Sequence, residues 1–228
     1  MARRSSNPLA LAVLTLLDER PMHPYEMSTT LRERRKGDSI RLNYGSLYAV
    51  VESMRRTGVI EAVETSRSGR RPERTVYAIT PAGRTQLVDW LSELISTPSK
   101  EFTRFEAALS LLGALPPDEA LRLLELRLQT QRLDLQSRRA LRDSIGDFPE
   151  IFLIEDDYEL ALLGAELGFL ERLVGRLRTG ELGGLKGWCR LHELRAQDLS
   201  PAEIDAALAA EFPLLVPPGG AETMDGGT

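Results

Sequence analysis

The chain has 228 residues, 42% hydrophobic and 28% charged, and no apolar run approaches the roughly 20 residues that a membrane-spanning helix needs. Cys189 stands alone, which excludes an internal disulfide framework; with an amino terminus that lacks a small-residue cleavage site, this leads us to expect a cytoplasmic protein. The formal charge of −5 hides an asymmetry: residues 1–100 carry 16 Lys/Arg against 11 Asp/Glu and the remainder 13 against 23, so a basic half adjoins an acidic one.

The spacing predicts a first helix from Pro8, capped by Asn7, with Leu9, Val13, Leu16 and Leu17 as its apolar stripe. Pro21 breaks it. A second helix opens at Pro24 behind His23, turns Met27 and Leu31 inward, and runs out through RERRKGD to Gly37. The third occupies NYGSLYAVVESMRRTGVI, residues 43–60, where Leu47, Val50, Val51 and Met54 fall at i, i+3, i+4 and i+7 and define the buried side. Opposite them stand Gly45, Ala49, Glu52 and Arg56, with Tyr44, Tyr48 and Arg55 along one margin and Ser46 and Ser53 along the other. Small residues at the centre of that face let the helix backbone come close to a partner.

After Gly58 the pattern turns to strand: VIEAVET and RTVYAIT are rich in β-branched residues, and SRSGRRPE between them makes a hairpin tip bearing Arg67, Arg70 and Arg71. Thr80 and Pro81 start a fourth helix with Leu87, Leu91, Leu94 and Ile95 as its expected buried stripe, and STPSK marks a domain boundary. The expected fold is therefore mainly α: a winged helix-turn-helix domain over residues 1–97, three to four helices plus a two-stranded hairpin. A helical dimerisation or effector domain follows over 98–212, and a disordered tail over 213–228. In such a fold the third helix would enter a DNA major groove, its hydroxyls and Arg55 reaching the phosphate walls, while the arginine-tipped wing would reach a minor groove.

Three segments, PMHPYEM, GSLYAVVESMRRTGVIE and GRRPERTVYAITPAGRTQL, closely resemble the hallmark segments of PadR-like transcriptional regulators over about the first 95 positions. Pro24 departs from the Gly that many members carry there, and proline suits a helix start. The resemblance implies a homodimer on an inverted-repeat operator, usually a repressor, with DNA contacts at Tyr25, Ser46, Tyr48, Arg70 and Arg71. The residues themselves add Asn43, Tyr44, Gly45, Arg55, Arg56 and Arg67 to the candidate interface with double-stranded DNA. The resemblance also implies a small aromatic or amphipathic effector, for which Trp90, Phe102, Phe105 and Trp188, with Phe148 and Phe152, are candidate pocket residues; core packing is the alternative.

From Glu101 the pattern is helical: a short helix near FTRFEAALSLLGAL, a long one from Pro117 to about Arg142, and another from Asp156 to about Leu177. In the last, Leu160, Leu163, Leu167, Leu170, Val174 and Leu177 make a heptad seam, with a second apolar column at Leu162, Phe169 and Leu173. Spacing does not say whether a partner helix lies in the same chain or another, and one of these two sides is expected to form the dimer. SPAEIDAALAAEF carries a capping box, Ser200 with Glu203, and predicts one more helix in residues 180–212.

Other readings stay open beside these. Tyr44 and Tyr48 could pack against the hairpin, the wing arginines could be a solvated turn, and the whole domain could be a protein-interaction adaptor that binds no DNA. Glu155, Asp156, Asp157 and Glu159 fit a helix N-terminus better than a cation site, and neither His23 nor His192 has a second histidine near it for a metal. No phosphate-binding glycine loop, dinucleotide fingerprint or serine nucleophile elbow occurs, so no enzyme activity, cofactor or metal is expected.

Overall fold

The computed structural model describes residues 7–37, 39–40, 43–66, 74–197 and 199–213. The chain forms two compact units, Met1–Glu101 and Phe102–Thr228. The first contains α1 (Pro8–Glu19), α2 (Pro24–Glu33), α3 (Tyr44–Arg56), β1 (Ile60–Ser66), β2 (Arg74–Ile79) and α4 (Pro81–Ser96). The second contains α5 (Arg104–Ser110), α6 (Pro117–Ser144), α7 (Ile154–Arg178), α8 (Leu185–Arg195) and α9 (Pro201–Glu211).

In the first unit α1 is apolar almost all round, and a helix of that kind belongs in a centre rather than on a surface. It packs against α2, α3, α4 and β2, and Val13, Leu14, Leu16 and Leu17 are buried. Its start is set by Asn7, whose Oδ1 accepts from the Leu9 amide at 3.0 Å. His23 does the same for α2, with Nδ1 accepting from the Tyr25 amide at 3.0 Å. Two ion pairs brace the α1–α2 corner, Arg34 with Glu19 and Arg20 with Glu26. Leu47, Val51 and Met54 of α3 complete the core with Met27, Leu31, Val59, Ile60 and Ile79.

Gly58, at φ +75°, takes the left-handed turn that ends α3 and launches β1. The hairpin is antiparallel, pairing Ile60 with Ile79 and Ser66 with Arg74, and its register shifts between Ala62 and Glu64. Met22, in the α1–α2 connection, extends the sheet: its amide and carbonyl each bond Tyr77 at 3.0 Å, anchoring the hairpin to the helical core. Just after β2, Thr80 Oγ1 accepts from the Gly83 amide at 3.1 Å and donates to the Gly58 carbonyl at 2.8 Å. One side chain thus starts α4 and ties it to the end of α3.

The stripe expected of α4 is only partly buried. Leu87 and Trp90 pack against the core, whereas Leu91, Leu94 and Ile95 are exposed, Ile95 at 79%. The helix meets its own unit through Gly83, Leu87 and Trp90, at i, i+4 and i+7, and its later turns extend past that core.

In the second unit α6 and α7 run antiparallel, as the ion pairs between them record: Arg142–Asp157 and Arg138–Glu159 at one end, Arg132–Glu171 and Arg178–Glu125 toward the other. Between them Leu124 and Leu128 of α6 pack with Leu170, Val174 and Leu177 of α7, and Phe105, Leu167, Leu182, Leu185 and Trp188 lie around this cluster. Of the α7 seam, whose leucines are expected dimer residues, the carboxyl half, Leu170, Val174 and Leu177, is buried against the chain's own α6. Leu160 and Leu163 are only partly buried. The helix α8 was not anticipated, whereas α9 begins at the expected capping box, with Glu203 Oε2 accepting from the Ser200 amide at 2.8 Å.

Candidate nucleic-acid interface

α2 and α3 form a helix-turn-helix, and the burial pattern decides which side of α3 is available. Leu47, Val51 and Met54 are fixed in the core, so Gly45, Ser46, Tyr48, Ala49, Glu52, Arg55 and Arg56 are left exposed. A methyl group added at Gly45 would meet only Asn43 Oδ1, at 3.5 Å, among the described residues. Among the described residues nothing covers the slim face. Tyr48, 47% exposed, lies at its margin, and Tyr25, 61% exposed, projects from the first turn of α2.

Asn43 has a structural task as well. Its Oδ1 accepts from the Gly45 amide at 2.9 Å, capping α3, which leaves its Nδ2 and the second lone pair of Oδ1 to meet a partner. Arg55 is held by a neighbour one turn back: its Nε and Nη2 donate to the two carboxylate oxygens of Glu52 at 3.0 and 2.8 Å. Those hydrogen bonds, then the charge of Arg55, hold the Glu52 carboxyl below its ordinary range, and Glu52 raises Arg55 in return. The side chain of Tyr44 and the wing residues Arg67, Arg70 and Arg71 lie outside the described residues.

The four aromatic residues expected at an effector pocket belong to different units. Trp90, in the first, borders a cavity of about 300 Å³ with Asn7, Ala10, Val50, Ser53, Met54 and Gln86, which places part of the wall on α3 itself. In the second unit Phe105 and Trp188 pack against the leucine core; the Arg127 guanidinium sits 3.8 Å from the Phe105 ring centre, and Trp188 Nε1 donates to the Leu115 carbonyl at 2.9 Å. Phe102 is exposed, and Phe148 and Phe152 form a tilted pair, ring centres 5.5 Å apart and planes at 53°. His192 Nε2 lies 3.0 Å from the Gly113 carbonyl, which gives that histidine a packing role. No cluster of three metal-ligating side chains and no helix able to cross a membrane occurs among the described residues.

Three helices, a pinned hairpin and an uncovered third-helix face define a winged helix-turn-helix. Residues 13–89 match the family model of the transcriptional regulator PadR-like family. Bacillus subtilis PadR in complex with operator DNA is similar at 19% identity and a TM-score of 0.60, covering 74% of this chain and 98% of that one. The same regulator in complex with p-coumaric acid gives 18%, 0.61, 75% and 98%. A PadR-like transcriptional regulator from Bacillus cereus gives 15%, 0.52, 76% and 99%. No curated protein matches the chain significantly.

Proposed function

We propose that the protein is a sequence-specific DNA-binding transcriptional regulator, a homodimeric, ligand-responsive repressor acting at an inverted-repeat operator. The observation that carries this reading is the uncovered face of α3, small at Gly45 and Ala49 and edged by Ser46, Tyr48 and Arg55, in a helix-turn-helix followed by a hairpin. A helix so shaped fits a major groove, and two of them on a dimer would enter successive grooves about 34 Å apart. Asn43, through its free amide nitrogen, and Ser46 are the base-edge candidates; Tyr25, Tyr44, Tyr48 and Arg56 are phosphate candidates; Arg67, Arg70 and Arg71 serve the minor groove. The fold shared with a regulator crystallised on operator DNA supports the same reading.

Exposed apolar side chains in each unit support self-association. Val88, Leu91, Leu94 and Ile95 on α4 and Tyr158, Leu162 and Phe169 on α7 are left open to solvent. These, rather than the buried carboxyl half of the α7 seam, are the surfaces a second copy would cover. For the effector, the cavity beside Trp90 and the likeness to a regulator crystallised with p-coumaric acid direct the search to phenolic acids and other small amphipathic aromatics.

Selection of bound fragments from random duplex DNA tests the core of this reading. A symmetric enriched motif, with an affinity that falls steeply as salt rises, is the expected result. No enriched motif, or duplex binding indifferent to salt, would overturn it and leave the adaptor role.

A further inference from the structure

A helix face that approaches the phosphates of duplex DNA gains nothing from a carboxylate, yet Glu52 occupies the middle of the slim face of α3, between Ala49 and Arg56. Its partner is chosen and its geometry specific. Both oxygens accept from one guanidinium, the Nε and Nη2 edge of Arg55, at 3.0 and 2.8 Å, while both side chains remain about half exposed. An arginine left unpaired on such a face swings on a flexible stem and takes any phosphate within reach. Held fork on fork, it loses that freedom, and its Nη1 side is left pointing away from the carboxylate.

We propose that Glu52 is a specificity-determining residue of the DNA interface: it positions Arg55 for a base edge and cancels the charge that would otherwise bind phosphate without regard to sequence. The inference rests on the DNA-binding reading of α3. The chemistry the pair can recognise is a guanine–cytosine pair. The free guanidinium edge donates to guanine O6 and N7, and the remaining lone pairs of the carboxylate accept from cytosine N4. Where no such pair lies opposite, Glu52 meets phosphate or an acceptor edge and repels it, so the residue discriminates chiefly against wrong sequences.

An ion pair three residues apart on an exposed helix is by default a minor stabiliser, and the two roles separate on measurement. Dissociation constants for the selected operator and for an unrelated duplex of equal length are taken across a salt series for the wild type, Glu52→Gln and Glu52→Asp. Glu52→Gln is expected to tighten binding to the unrelated duplex and to steepen its salt dependence by about one released counterion. The ratio of specific to non-specific affinity should fall by about tenfold or more. Glu52→Asp keeps the charge and loses the two-pronged geometry, so its salt slope should stay near wild type while the ratio falls. Unchanged ratios in both variants, with the wild type discriminating normally, overturn the role assigned to Glu52. A wild type without salt-dependent duplex binding overturns the DNA reading instead.

Discussion

Gly83 and Thr80 illustrate how single residues hold the wing against the helices. A Cβ at position 83 would stand 2.1 Å from the Val59 carbonyl oxygen and 2.8 Å from Ile79 Cγ1, so α4 can lie this close to the start of the hairpin only because the residue has no side chain. Backbone cannot move aside as a flexible side chain can. Gly83→Ala is therefore expected to destabilise the first unit by about 1–3 kcal/mol or more, read as a lower urea midpoint; stability equal to wild type would mean that α4 shifts freely. Thr80→Ala removes the α4 cap and the tether to Gly58 together, and about 1–2 kcal/mol should be lost, with Thr80→Ser recovering most of it. The Glu19–Arg34 pair makes a prediction about pH. Hydrogen bonds from Arg34, against a smaller opposing effect of burial, hold the Glu19 carboxyl below its ordinary value of 4.5. A depressed folded value means that the pair's contribution is complete above that ordinary value and is lost as pH falls through the lower, folded one. Glu19→Gln should thus narrow the stability difference from wild type in acid and leave it widest near neutrality, as denaturant titrations at several pH values would record.

The helices differ in how their sides are spent. On α3 the division is clean, with one side in the core and the other bare, and the repeat of Leu47, Val51 and Met54 announced it in the sequence. On α7 two apolar columns compete for partners. α6 takes the one containing Leu170, Val174 and Leu177 for part of its length, and Leu162 and Phe169 are left outside. The two columns should respond differently to substitution. Leu170→Ala, at a fully buried site, is expected to cost about 2–5 kcal/mol of unfolding free energy. Leu162→Glu with Phe169→Glu should leave thermal stability of an isolated chain nearly unchanged, yet shift sedimentation from dimer to monomer at micromolar concentration. A double variant that remained dimeric would remove α7 from the proposed interface. The helix α8 escaped the sequence reading because GELGGLKGW is dense in glycine, a poor helix former. What holds it is tertiary: Leu194 is buried, Leu185 joins the leucine cluster, and Trp188 bonds the Leu115 carbonyl.

Taken whole, the molecule joins a basic unit to an acidic one, and the proposed function divides along the same line. In the proposed reading DNA binding belongs to the first, where Arg→Ala changes at positions 70 and 71 should weaken binding to every duplex alike and lower the salt slope by about one to two. An unchanged slope would take the wing out of the contact. Binding of a phenolic effector, followed by tryptophan fluorescence, should perturb Trp90 beside α3 and lower operator affinity in the same concentration range. Quenching without any change in operator affinity would separate the cavity from regulation.

By itself the sequence determined the order of the elements other than α8 and where several helices start, because caps and prolines act locally: Asn7, Thr80 and Ser200 all stand where their side chains bond the first turn. It also determined which side of α3 is slim, since a 3.6-residue period fixes one face once its opposite is apolar. Tertiary structure decided the rest. Whether an apolar stripe meets its own chain depends on which helix lies across from it, which is why Leu170 is buried, Ile95 is bare, and Met22 pairs with Tyr77 far along the chain. Contacts of that range carry no periodic signal in the residues that make them.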